Sequence, residues 1–278
     1  MENNVRLVQS AQTEMLKRFM EFCRLHNLRW YMIGGSLIGV LRHKGFIPWD
    51  DDIDVGMPRR DYDRFIALQH ELPAGYGLIT HENNPEWQFN FAQLVDEETD
   101  IEVLMNELPR RCHVWIDVFP IDGLPTGRLA RWLHVKRILM YRYLVQIPNI
   151  RTQVDTHKVG RPWYEKAAIR LLHAIPLGRL VNAGKCLSAM NAALRKYDFD
   201  KSLYAGNMLG KYREREVVPQ RWWGEAVQLP FERIEVNVPA NADAIERNIY
   251  GDYMKWPAEK DRVSHDIKII KLRNGRHG

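Results

Sequence analysis

Between Gly34 and Tyr62 the chain reads GGSLIGVLRHKGFIPWDDDIDVGMPRRDY: two adjacent glycines, a basic cluster, then four aspartates within five positions. Carboxylates packed that closely repel one another in a folded protein unless positive charge sits among them. Asp52-Ile53-Asp54-Val55 alternates polar and apolar, as a strand with one face in the core does. Asp52 and Asp54 would then share a face, with Cα atoms ~6.6 Å apart, while Ile53 and Val55 point inward. Two carboxylates so spaced can share one divalent cation or hold two, a recurrent device for phosphoryl and nucleotidyl transfer. Oxygen-only ligands favour Mg2+ or Mn2+ over zinc. A solvated, turn-forming acidic patch is the commonplace explanation of an acidic run. The alternation, the glycine turn upstream and a third strand-like carboxylate, Asp117 in VWIDVFPI, together weigh against it.

The same stretch offers an anion site. A helix starting near Ser36 presents unpaired backbone N–H groups, and glycine lets a phosphate approach the backbone, so Gly35 and Ser36 are candidate phosphate holders. Arg42, His43 and Lys44, at the far end of that short helix, could neutralise the rest of a diphosphate. Each of these residues, taken singly, is as well explained by a capped helix with a solvated basic end.

The elements that must position these groups follow from periodicity. Residues 3–27 place Val5, Val8, Met15, Phe19 and Phe22 on one helical face, with Leu16, Met20 and Cys23 beside it. Leu28–Ile33 reads as a short strand, Gly34-Gly35 as a tight turn and Gly45–Trp49 as a loop. Pro58 opens a helix over Arg59–Leu72, with Tyr62, Phe65, Ile66 and Gln69 on a shared side. Further strands are predicted at 76–80, 89–95, 101–104 and 113–121. Helices are predicted at 126–147 and 163–197, broken at Pro148 and at Pro176-Leu177-Gly178. Phe231–Val238 alternates as a strand, and a helix over Ala242–Tyr250 can be capped by Gly251.

With 278 residues and 45% hydrophobic content the chain can bury a real core. Cys23, Cys112 and Cys186 are odd in number and far apart, which argues against a disulfide framework or a zinc ribbon and suits a reducing compartment. The polar N-terminus does not look like a secretory signal, and no apolar run approaches a membrane span, so a cytoplasmic location is expected. The net charge of +5 hides a split: Gly123–Tyr197 holds fourteen Lys and Arg against two acids, leaving the remainder acidic. Leu129, Trp132, Leu133, Met140, Tyr143, Leu144 and Ile147 recur at helical spacing among the basic residues. Such a helix either docks on an anionic inner membrane face or packs an ordinary core with a basic outer side. A non-enzymatic nucleic-acid binder fits the basic balance but not the aspartates, which would repel phosphates.

The segment GGSLIGVLRHKGFIPWDDDIDVGMPRRDYDRF resembles the hallmark of the LicD family, a branch of the polymerase-β-like nucleotidyltransferase superfamily. IDVFPIDGLP around Asp117 and IERNIYGDYMKWPAEKDRVSHD near the C-terminus are similar too, whereas 123–205 matches loosely. The resemblance implies an α+β fold, a nucleotidyltransferase-like mixed sheet with flanking helices and a helical insertion. It divides the chain into a catalytic core (1–122), a basic helical region for acceptor or membrane docking (123–205) and a C-terminal segment packing back on the core (206–278). It implies metal-dependent transfer of phosphocholine from CDP-choline to a hydroxyl of a glycan of the lipopolysaccharide or teichoic-acid type, which can be lipid-linked. Transfer of glycerol or ribitol phosphate, or of a nucleotide to a small molecule, are the alternatives. Asp52 and Asp54 would be the metal pair, Asp117 the third carboxylate, and Gly35 and Ser36 the phosphate holders. Arg42, His43, Lys44 and Asp51 would share the cleft, with Tyr250, Gly251, Asp252 and His265 further candidates. A choline head group calls for aromatic faces, for which Trp49, just before the aspartates, is the candidate.

Overall fold

The computed structural model describes residues 2–84, 86–87, 89–105, 108–146, 181–258, 262 and 266–273. The alternation at 53–57 does what its period requires. β2 (Asp54–Pro58) runs parallel to β5 (Leu108–Leu124), with Asp54 the register partner of Asp117. Ile53, Val55 and Met57, and on β5 Val114, Ile116 and Val118, are fully buried on one face. Asp54 and Asp117 are one residue out of phase and so take the other.

The main sheet runs β1 (Tyr31–Met32), β2, β5, β4 (Ala92–Met105), β10 (Ile267–Lys271), and apart from the β2–β5 pair its described ladders are antiparallel. β3 (Tyr76–Ile79) shares the outer edge of β4 with β10, on either side of a register shift between Asp96 and Ile101. Beyond Asp117 the end of β5 pairs with β6 (Tyr204–Gly206), which pairs with β7 (Val217–Pro219). β8 (Val227–Phe231) and β9 (Ile234–Val238) form a separate hairpin. The arrangement is α+β with a mixed sheet, as the resemblance implies.

Two helices cover the apolar face. α1 (Glu2–Leu25) and α3 (Arg59–Ala67) meet over it through Phe19, Phe22 and Phe65, whose rings pack edge to face at 5.5 and 5.8 Å. α4 (Arg128–Gln146) and α5 (Ala183–Leu194) build a second cluster around Ile138, Leu139, Met190 and Leu194. α6 (Ala242–Tyr250) buries Ile245 and Ile249 in a third, with Tyr31, Ile33 and Trp223.

Several boundaries differ from expectation. The strand begins at Asp54 rather than Asp52; Ile53 O already accepts from the Asp117 N–H (2.9 Å), and just before it the chain is held by α1, with Gln9 Nε2 donating to Asp50 O (2.7 Å) and Gln12 Nε2 to Asp51 O (2.8 Å). The strand expected at 28–33 contracts to Tyr31–Met32. The strands expected at 89–95 and 101–104 are one strand, β4, bent at its register shift. The strand expected at 231–238 folds back at Glu232 (φ 53) and Arg233 to give β8 and β9. α3 stops at Ala67 and a 3-10 turn over Gln69–Glu71 follows, leaving Gln69 exposed. Ile147, the breaks at Pro148 and 176–178, and the start of the second predicted helix lie outside the described residues.

Candidate active site

Parallel pairing sets Asp54 beside Asp117, and the extended chain just before β2 brings Asp52 to them. One carboxylate oxygen from each of the three lies within 4.8 Å of the others. Burial, and then the charges of Asp52 and Asp117, hold the Asp54 carboxyl well above its usual range. Asp117 is pushed up to about 7, chiefly by burial, against a lowering hydrogen bond from Gln93. Its Oδ1 is closed off from solvent without a hydrogen-bond partner. An unpartnered oxygen in a cluster of mutually repelling carboxylates is what a hard divalent cation would satisfy, so the residues present fit such an ion.

The triad opens into a cleft of about 520 Å³. Gly34 sits at its edge with φ +58, the left-handed conformation that glycine adopts freely. A Cβ there would come 3.3 Å from Asp54 Oδ2, and one on Gly35 would come 2.9 Å from Asp50 Oδ2. Backbone and carboxylates thus approach as closely as two glycines permit. Ser36 does not line the cleft; it is buried, and its Oγ accepts from the Asp54 N–H (2.9 Å), fixing the strand to the helical segment 34–43.

The other sequence candidates divide. Tyr250 lines the cleft, its phenol pushed up mainly by burial. Asp51 is buried behind it, with its carbonyl on Gln12. Arg42, His43 and Lys44 do not line it, since eight residues of helix carry them about 10 Å from the glycine bend. Arg42 instead donates to Tyr253 O, and His43 lies 5.3 Å from the Trp256 ring. Trp49 packs on Trp256 at 5.6 Å, again outside the lining. Gly251 and Asp252 are in an exposed turn, and His265 lies outside the described residues.

The sequence reading missed other lining groups. Asp50 faces the cleft hydrogen-bonded to Asp52, its carboxyl raised by burial and then by Asp52. Among the described residues the cations of the lining are Arg142, from the basic helix α4, and Lys211. Arg142 Nη1 donates to Met208 O (3.1 Å) and Gly210 O (2.9 Å), which stitches α4 to the chain before β7. Glu216, pushed up to about 7 by burial, accepts from the Tyr212 N–H (2.9 Å). Asp50 adjoins the aspartates in sequence, but Arg142, Lys211 and Glu216 are spread over 75 positions of chain and share no motif that would have joined them to the triad. Only the excess of basic residues after 122 hinted that positive charge would come from there.

Comparison with known proteins agrees with this geometry. The LicD/FKTN/FKRP nucleotidyltransferase-domain family matches residues 27–135, which span the glycine bend and all three triad acids. The chain is 28% identical over 262 residues to the lipopolysaccharide cholinephosphotransferase LicD of Haemophilus influenzae, covering 91% of this chain and 92% of that one. It is also 35% identical over 111 residues to an uncharacterized protein of Rickettsia typhi, covering 39% of this chain and 33% of that one. An uncharacterized protein of Rickettsia prowazekii matches at 37% over 60 residues, 22% of this chain and 21% of its own. The acidic triad, the glycine bend and the extent of the match lead to one conclusion: residues 27–135 carry a LicD-type nucleotidyltransferase domain, in a chain similar along nearly its whole length to a LicD protein.

Proposed function

We propose that the protein is a phosphotransferase that moves phosphocholine from CDP-choline to a hydroxyl of a cell-surface glycan, of which lipopolysaccharide is the first candidate. The observation that carries this is the Asp52–Asp54–Asp117 cluster, set against the Gly34-Gly35 bend in a chain similar along nearly its whole length to a lipopolysaccharide cholinephosphotransferase. Mg2+ or Mn2+ held by the three acids would supply charge neutralisation and polarisation at the donor diphosphate. Gly34 and Gly35 let the Asp54 and Asp50 carboxylates close on the backbone at the edge of the cleft where the donor diphosphate would lie, and Ser36 holds Asp54 in place. Arg142 and Lys211 take the neutralising role that the sequence suggested for Arg42, His43 and Lys44. The acceptor hydroxyl attacks the phosphorus that bears choline, the bond to CMP breaks in line, and Asp117 orients the hydroxyl or takes its proton.

The test is to incubate the purified protein with Mg2+, a panel of CDP-alcohols and lipopolysaccharide, follow CMP release and weigh the product. CMP release from CDP-choline, with a glycan heavier by phosphocholine, is expected. A product carrying a nucleotide would replace this reading with nucleotidyl transfer, and CMP released from CDP-glycerol or CDP-ribitol alone would move the donor to a polyol.

The basic helix suggests how the enzyme meets a lipid-linked acceptor. α4 buries Val135, Ile138, Leu139 and Val145, while Leu129, Trp132, Leu133, Met140 and Tyr143 stay exposed beside Lys136 and Arg137. This apolar, cationic stripe suits peripheral docking on an anionic membrane surface. No helix among the described residues is long and apolar enough to cross a membrane.

A further inference from the structure

The cleft that holds the triad has a second wall of different chemistry. Phe119 follows Asp117 by two residues on β5, so the two side chains leave the same face ~6.6 Å apart, and both line the cleft. Across the ladder, Phe91 precedes the Ala92–Val118 pair and stacks on Phe119, with ring centroids 4.3 Å apart and planes 29° from parallel. Phe89 adds a third ring, 5.1 Å from Phe91, and remains 46% exposed. Trp87 braces the group from behind: it is buried, lies 4.9 Å from Phe89 and 5.3 Å from Phe91, and donates Nε1–H to Phe91 O (2.8 Å).

Phenyl rings of this size are ordinarily spent in a core. Here three of them line a cleft floored by acids. They offer no hydrogen-bonding group, so a polyol laid against them would lose partners for its hydroxyls. A trimethylammonium group loses none, because it has no N–H, and its charge is attracted to the ring faces. The spacing agrees as well. A phosphate at Asp117 and an ammonium at Phe119 are separated by about one two-residue step of strand, a span that choline's two-carbon linker can bridge.

We propose that Phe91 and Phe119, with Phe89 at the rim, form the subsite for the donor's quaternary ammonium group, and so determine that choline rather than a polyol is transferred. This rests on the phosphocholine reading above and assigns to these rings the role that the sequence suggested for Trp49. The test compares wild type with Phe119→Leu and with Phe89→Leu, the latter at an exposed ring whose loss leaves the core intact. Three quantities are read with Mg2+ present: KM for CDP-choline, and inhibition constants for phosphocholine and for CMP. The first two should rise about tenfold in Phe119→Leu and less in Phe89→Leu, with CMP inhibition within about twofold of wild type. If phosphocholine and CMP weaken alike, or neither changes, the subsite assignment is overturned while the transfer reading stands. If the wild type releases no CMP from CDP-choline, the transfer reading falls and takes the subsite with it.

Discussion

Asp117 keeps a proton up to about pH 7, although the same carboxyl in the unfolded chain loses it near its ordinary value of 3.8. Across that window the folded, metal-free protein binds more protons than the unfolded chain, so its unfolding free energy falls as pH rises. Thermal denaturation in EDTA should therefore show a midpoint that drops between about pH 4 and 7. Saturating Mn2+ should reverse the drop, because the cation takes the proton's place. Asp117→Asn removes this residue's share of the pH dependence. Asp54→Asn deletes a ligand and a repelling charge together: transfer activity should fall by about 100-fold or more, the metal-free protein should become more stable, and far-UV circular dichroism should not change. The triad was legible from sequence because period-two alternation is local and says which side chains share a face. Arg142, Lys211, Glu216 and the phenylalanine wall were not, because they reach the cleft through packing between distant segments, and nearness in sequence misled at Arg42, His43, Lys44 and Trp49.

At the scale of the element, α1 is more than a lid on the sheet. Gln12 is fully buried on a helical face that, Gln9 apart, reads apolar, and its Nε2 donates to the carbonyls of Asp51 (2.8 Å) and Trp115 (3.2 Å). It thereby ties the aspartate segment to the strand that carries Asp117. Gln12→Leu would remove both hydrogen bonds, at a cost of about 1–3 kcal/mol in chemical denaturation. Mn2+ affinity should weaken as well, which a helix packing defect remote from the aspartates would not produce. A second tie joins α3 to β5. Arg59 and Asp122 are both buried, with Nε–Oδ1 at 2.7 Å and Nη2–Oδ2 at 2.9 Å. Asp122→Ala removes both of these hydrogen bonds and leaves the buried guanidinium with Asp63, 3.6 Å away, so it should cost about 3 kcal/mol in the same measurement. Neither tie could be read from the sequence, since a glutamine in an amphipathic helix and an arginine after a proline both pass for surface residues. The helices and the β2 and β5 strands were legible from their periods. The split of the 231–238 run into a hairpin was not, because it depends on one residue, Glu232, adopting a positive φ.

For the whole molecule, the uneven charge of the chain acquires a geometry. The acids gather at the triad, while the basic α4 sends Arg142 inward to the cleft and shows Lys136, Arg137 and its apolar stripe outward. If that stripe docks on membrane, the protein should float with liposomes rich in anionic lipid, less so as salt rises, and Trp132→Glu should abolish flotation without altering CMP release. Binding indifferent to both lipid charge and salt would leave the stripe as surface without a membrane role. The pairing of Asp54 with Asp117 carries a final consequence for how this protein can vary. Because the two meet rung by rung on neighbouring strands, one codon gained or lost inside either strand would rotate its acid to the oily side and bring a valine or isoleucine into its place. Length changes should therefore be tolerated in the connecting turns and purged from the strands, so that a library of single-residue insertions would trace the acidic floor of the cleft as an uninterrupted silent zone.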